Sequence, residues 1–175
     1  MDREILWAPW RLGYIQSAGE SDKKSDSVAL PAGADARCFM CRAVYGRDDR
    51  ASLTVLRGEV SFALLNRYPY NNGHLLVAPR RHVGQLGELT DEEHLAMQQQ
   101  IAHLVQVLGQ EIKAEGFNVG LNLGHVAGAG VPGHLHWHIV PRWNGDVNFM
   151  ASVAGAKVIP QSLDSLWELL KQALP

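Results

Sequence analysis

An antiparallel α+β domain is the fold class this sequence predicts, and three observations predict it. Short apolar runs recur in the first half, at Leu53 to Leu56, Val60 to Leu65 and His74 to Pro79, each bounded by turn-forming residues. One long amphipathic run follows them. Two more strand-like runs come after it, at Phe117 to Leu123 and Leu135 to Val140. Strands in runs, with a single long helix between them, suit an antiparallel sheet better than alternating βα units do. The chain has 175 residues, 46% of them hydrophobic and 19% charged, enough for one sizeable core.

The elements follow in order. Residues 1–16 carry Trp7-Ala-Pro-Trp10 and read as a segment that docks on the body of the protein. Residues 17–37 are small and polar without a period, and read as a flexible linker or surface loop. Residues 38–160 form the main domain. Its first two strands are parted by Arg57-Gly58-Glu59, and the third follows the turn-rich stretch Arg67 to Gly73. Thr90 is placed as an N-cap, with Glu93 completing a capping box. Apolar residues then recur at Leu95, Met97, Ile101, Leu104, Val105 and Leu108, so this helix should run on to near Gly116. Gly124 to Gly133 is a glycine-rich loop, and Pro141 should end the last strand. Residues 161–175 hold a final helix from Leu163 to Leu174, which packs Leu166, Leu169 and Leu170 on the domain.

Charge narrows the function classes. The formal net charge of −2 argues against a nucleic-acid partner held by bulk electrostatics, but leaves room for a small phosphorylated ligand. No run approaches the roughly 18 apolar residues of a membrane span, so no membrane partner is expected. The start, Met1-Asp2-Arg3-Glu4, lacks the layout of an export signal, and two cysteines three apart make a poor disulfide framework. A reducing, cytoplasmic location is expected.

His134-Leu-His136-Trp-His138 is the most informative stretch. Strand side chains alternate, so the three histidines share one face and Leu135 and Trp137 the other. Two readings remain open. The histidines bind a catalytic metal, or one imidazole is a nucleophile toward phosphorus while its neighbours handle phosphate and proton. In the second reading the other ring nitrogen must be held as a donor, so that the attacking nitrogen keeps its lone pair. Backbone N–H groups of the preceding glycine-rich loop can then cradle negative charge.

Cys38-Phe-Met-Cys41 is a CxxC pair. A redox role needs a βαβ setting that does not surround it. A zinc site needs two more ligands, for which His82 and one histidine of the triad are candidates. Two inert thiols are the remaining reading. A closed four-ligand site would brace the histidine strand and would not be the catalyst.

These residues resemble the His-φ-His-φ-His-φ-φ signature of the histidine-triad (HIT) nucleotide hydrolases and transferases. The resemblance extends to Asn66-Arg-Tyr-Pro-Tyr-Asn-Asn-Gly-His74 and to Asn118-Val-Gly-Leu-Asn122-Leu-Gly. Leu6-Trp-Ala-Pro-Trp-Arg11 and Pro141-Arg-Trp-Asn-Gly-Asp-Val-Asn-Phe149 are similar to the bacterial branch that includes diadenosine tetraphosphate phosphorylases. The resemblance implies a five-stranded antiparallel sheet with two main helices, usually in a homodimer. It implies transfer of AMP from a dinucleoside polyphosphate or another adenine nucleotide through a covalent His-AMP intermediate, with phosphate as acceptor. By position, His136 matches the nucleophile and His138 the phosphate-contacting third histidine. Asn66 matches a residue on the ribose, and Asn122 the phosphate-side asparagine. His74 matches a supporting histidine. Cys38, Cys41, His82 and His134 match the structural zinc ligands of CxxC-bearing members. Gly130 stands four residues before His134, where relatives often carry Ser or Gln; here only its backbone N–H can make that contact.

Three alternatives stand beside this reading. They are hydrolysis of adenylylated or nucleoside polyphosphate compounds, nucleotide binding without catalysis, and three-histidine metal catalysis.

Overall fold

The computed structural model describes residues 29–147, 153 and 158–174. The expected docking segment 1–16, with Trp7 and Trp10, lies outside the described residues. So do residues 17–28 of the linker and Asn148 and Phe149.

Among the described residues, four α-helices and five strands appear in the order α1 (Phe39–Tyr45), α2 (Asp49–Ser52), β1 (Thr54–Arg57), β2 (Ser61–Leu65), β3 (Leu75–Pro79), α3 (Asp91–Glu111), β4 (Gly116–Leu121), β5 (Trp137–Arg142) and α4 (Leu163–Ala173). The strands form one antiparallel sheet in the order β1-β2-β3-β5-β4, which fits the expected α+β class.

The sheet separates two apolar layers, and the period of two in each strand decides which residue enters which layer. On one face Val55, Ala63, Leu65, Leu75, Val77 and Ile139 pack against Met97, Ile101, Leu104 and Leu108 of α3 and Leu166 and Leu170 of α4. On the other, Phe62, Leu64, Leu76 and Ala78 pack against Met40, Cys41, Ala43 and Val44 of α1. β2 and β3 are therefore buried on both faces.

α3 begins as the sequence predicts. The Thr90 hydroxyl accepts from the Glu93 backbone N–H, and the Glu93 carboxylate accepts from the Thr90 N–H. Such a cap is worth about 1 kcal/mol. The helix ends earlier than expected. Ile112 is its C-cap and Lys113 takes φ +53°, so Gly116 opens β4 instead of closing α3. The Trp143 indole N–H donates to the Ile112 carbonyl at 3.2 Å and satisfies that helix end from across the fold.

Three further boundaries differ. Leu53 does not open β1; it closes α2 in the left-handed region at φ +59°. Pro141 does not stop β5, which continues to Arg142. β3 pairs with β5 only as far as Ile139, so the missing proline N–H costs no ladder bond on that side. β5 itself starts at Trp137, and His134 and His136 lie in the segment that leads into it, where the Leu135 N–H donates to the Val83 carbonyl. The short helices α1 and α2 were not legible in the sequence, because seven and four residues give too few turns for a periodic signal.

The turn between β2 and β3 places the site. The Asn66 N–H donates to the His74 carbonyl at 2.9 Å. Gly73 has φ +75°, and a Cβ there would lie 2.6 Å from Ile112 Cδ1 and 3.1 Å from Pro141 Cγ. Only glycine serves at this position, and it sets the direction of His74.

Candidate functional site

The three histidines do not act as one cluster. His134 turns into the α1 layer, where Cys38 Sγ lies 3.4 Å and Cys41 Sγ 3.6 Å from its Nδ1. His82 Nδ1 lies 3.3 Å from Cys41 Sγ. The four ligand atoms of Cys38, Cys41, His82 and His134 all fall within 4.8 Å of one another. Ligand edges of about 3.3–3.8 Å are what a tetrahedral zinc with bonds of about 2.0–2.3 Å requires.

The surrounding chemistry agrees with that fit. His134 Nε2–H donates to the Pro79 carbonyl at 2.9 Å, so its Nδ1 lone pair faces the two sulfurs. Burial pushes the Cys38 thiol up to about 12 and the His134 imidazolium down to about 4. A bound cation would supply the charge that makes thiolates stable there. Among the described residues no such group includes His136 or His138, which removes the support for a three-histidine catalytic metal.

His136 is buried, and its Nδ1–H donates to the His134 carbonyl at 2.8 Å. A carbonyl only accepts, so the proton sits on Nδ1 and Nε2 keeps its lone pair. Burial also lowers the pKa of His136, which favours the neutral ring. This is the donor arrangement that the nucleophile reading of the sequence required. The residue that turns toward the cysteines thus also fixes, through its main chain, the tautomer of the next histidine.

His138 is fixed differently. The Tyr70 backbone N–H donates to His74 Nδ1 at 3.0 Å, and the Asn66 side-chain N–H approaches the same nitrogen at 3.3 Å. Nδ1 of His74 is therefore an acceptor, and its Nε2–H donates to His138 Nδ1 at 2.9 Å. A neutral His138 then carries its proton on Nε2. The rings of His136 and His138 are 5.0 Å apart, and Tyr70 stacks at 4.7 Å from His74 and 5.8 Å from His138. One ring thus offers a lone pair beside another that offers a proton.

The remaining candidates divide. Asn66 Oδ1 accepts from the Tyr68 N–H, so this residue locks the turn as well as contacting His74. Asn122 is half-buried, one residue beyond β4, and lines a groove with His138. Gly130 is half-buried in the loop that precedes His134. His94 and His103 are exposed on α3, and His125 is exposed in the glycine-rich loop. Arg81 pairs with Glu93 at 2.6 Å, and the Arg80 guanidinium lies over the Tyr45 ring.

Sequence reasoning missed two arrangements. Arg57 donates to the carbonyls of Ala43 and Gly46 at 2.8 and 3.2 Å, holding the end of α1 and so the helix that carries Cys41. Arg142 donates to Asn118 Oδ1 at 2.9 Å and pairs with Asp146, whose carboxylate also accepts from Asn71 at 2.8 Å. Pro141-Arg-Trp-Asn-Gly-Asp was the sequence signal for the second; no local pattern marks the first.

Comparison with known proteins follows the same lines. A sequence model described as the HIT domain matches residues 48–145. An AP-4-A phosphorylase of Mycobacterium tuberculosis is 41% identical over 165 residues, covering 94% of this chain and 81% of that protein. An adenosine 5'-monophosphoramidase of Schizosaccharomyces pombe is 30% identical over 131 residues, covering 75% and 93%. Among solved structures, a Zn-bound histidine triad family protein from Mycobacterium smegmatis superposes with a TM-score of 0.64 at 26% identity, covering 78% of this chain and 91% of that one.

Proposed function

Because the chain belongs to the HIT-domain family, we propose that it is a nucleotidyl transferase that phosphorolyses a dinucleoside polyphosphate through a covalent adenylyl intermediate on His136. The likeness to the mycobacterial AP-4-A phosphorylase, across nearly the whole chain, supports the substrate class. The 2.8 Å bond from His136 Nδ1–H to the His134 carbonyl carries the chemistry, because it leaves Nε2 unprotonated for attack.

The Nε2 lone pair of His136 forms a bond to the α-phosphorus. The bond from that phosphorus to the bridging oxygen breaks, and its electron pair leaves with the nucleoside polyphosphate. The Nε2–H of His138 hydrogen-bonds the departing oxygen as charge builds on it, and the released polyphosphate takes its proton from solvent. An oxygen of inorganic phosphate then attacks the same phosphorus, the P–N bond breaks, and ADP is released with neutral His136. Asn66 holds the ribose, while Asn122 and the Gly130 N–H steady phosphate oxygens.

Zinc is held by Cys38, Cys41, His82 and His134, where it supplies a structural tie between α1 and the lead-in to β5. The chain works as a homodimer in the cytoplasm. Within the described residues, an edge strand β4 with Val119 43% exposed suits an interface between copies, and no helix is long and apolar enough to cross a membrane.

Product analysis with diadenosine tetraphosphate tests the proposal. ADP and ATP that form only when phosphate is present are the expected result. AMP and ATP without phosphate would make water the acceptor, the reading that the Schizosaccharomyces pombe monophosphoramidase favours. No turnover with or without phosphate would leave a binding role.

A further inference from the structure

A groove of about 370 Å³ lies between the β1–β2 hairpin and the first turns of α3. β3 stands between this hairpin and β5, so the groove is separate from the histidine site. Its helical wall is a second stripe of α3. Glu92, Leu95, Ala96 and Gln99 recur three and four apart, beside the core stripe of Met97, Ile101 and Leu104. Leu95 is 59% exposed on that wall, and Leu56 and Val60 add apolar surface from the hairpin.

Two features call for an occupant. Gln100 also lines the groove, is 8% exposed, and its Oε1 has no hydrogen-bond partner among the described residues. A buried acceptor without a donor is rare in native proteins. Glu59 and Glu92 are exposed at the groove, and among the described residues neither makes an ion pair. An occupant that suits this chemistry brings apolar bulk, a donor for Gln100 and a positive charge.

Leu6-Trp-Ala-Pro-Trp-Arg11, outside the described residues, carries all three. Each indole has a broad apolar body and one N–H, which only donates. Arg11 is the one charged residue between Glu4 and Glu20. Reach is ample. Ala29 is the first described residue, and Ala34 packs on the α1 layer. Residues 12–28 can extend about 60 Å, roughly twice the diameter of a small domain. β1 is an edge of the sheet, so the chain can pass round it to the α3 face. We propose that this groove is the docking site of the chain's own residues 6–11, with an indole N–H of Trp7 or Trp10 donating to Gln100 Oε1 and Arg11 held by the carboxylates of Glu59 and Glu92.

Disulfide trapping in the full chain tests this. Ala8→Cys is combined with Gln99→Cys in the groove or, as a control, with Gln110→Cys in the last turn of α3. Cys38 and Cys41 stay in place, buried. Oxidised glutathione should join the introduced thiols within one chain about tenfold faster for the groove pair, because an undocked tether gives both pairs similar effective concentrations. Peptide mass spectrometry of the non-reduced protein locates the bridge. Arg11→Glu and Leu95→Glu should each slow the groove pair toward the control rate. Gln100→Met, close in shape but without the acceptor, should slow it about fivefold, the scale of one hydrogen bond. Equal rates for the two pairs, or a groove rate that none of the three variants slows, would overturn the proposal. A bridge that joins two chains would overturn it too, and would give the groove to a second copy.

Discussion

His74 Nε2 lies 2.9 Å from His138 Nδ1, although the two residues are 64 positions apart in the chain. The Tyr70 N–H on the far nitrogen of His74 makes this contact directional, from His74 to His138. Removing His74 should therefore scramble the tautomer of His138 without touching His136. His74→Ala is expected to lower kcat about a hundredfold, within the range for a displaced hydrogen-bond donor to the leaving oxygen. His74→Gln, which keeps an N–H donor in reach, should recover part of it. Steady-state kinetics checked against an unchanged circular dichroism spectrum would decide; full activity in His74→Ala would remove the relay.

His136→Ala should abolish turnover, leaving melting temperature and metal content at wild-type levels. The reason is geometric: His136 donates to the main chain of His134 and contributes no atom to the Cys-His cluster. Retained turnover would sink the assignment of the nucleophile.

Cys41 Sγ lies within 3.6 Å of ring nitrogens on both His82 and His134, so it is the hub of the cluster. Cys41→Ser should reduce bound zinc from about one per chain to near none and lower the melting temperature by roughly 5 °C or more. Elemental analysis and calorimetry measure the two effects. Full zinc occupancy in the variant would show that the cluster is not the binding site.

Arg57 reaches the end of α1 from β1 and is itself held by Asp49, at 2.8 Å from its Nε. Arg57→Ala should weaken zinc retention about tenfold in a chelator competition, the scale expected when support for a ligand is lost. Lysine cannot reproduce the fork of donors, so Arg57→Lys should rescue little. An unchanged affinity would confine Arg57 to packing.

Glu93 ties the start of α3 to the segment that carries His82. Its carboxyl is held below the usual range, first by Arg81, whose donors lie 2.6 and 2.8 Å away, and also by the Thr90 N–H. The folded pKa lies below the unfolded one. This stabilisation is therefore present above the ordinary carboxyl value of about 4.3 and fades as pH falls through the folded value. Glu93→Gln should cost about 1 kcal/mol at pH 7, mostly as the lost ion pair with Arg81 because glutamine can still accept from the Thr90 N–H, and the difference should vanish in strong acid. Urea titrations of both proteins across pH 2–7 would show it. A difference that stays constant with pH would contradict an ionised Glu93 as its source.

Much of the site was written locally. The alternation of His134, Leu135, His136, Trp137 and His138 fixes which residues share a face, because strand geometry has a period of two. The CxxC spacing, the Thr90 capping box and the apolar period of α3 are equally local, and each reappears in the fold, except that Leu95, expected on the apolar face, is 59% exposed. What the sequence could not display is which histidine meets which partner. His134 joins Cys38 and Cys41 from more than ninety positions away, and His74 reaches His138 only after β3 pairs with β5. The same holds for the end of α3, closed by Trp143, and for the grip of Arg57 on α1. Local pattern determines faces and caps because those interactions span a few residues. The tautomers of His136 and His138 were decided by tertiary structure, since a hydrogen bond has a direction only once both partners are in place.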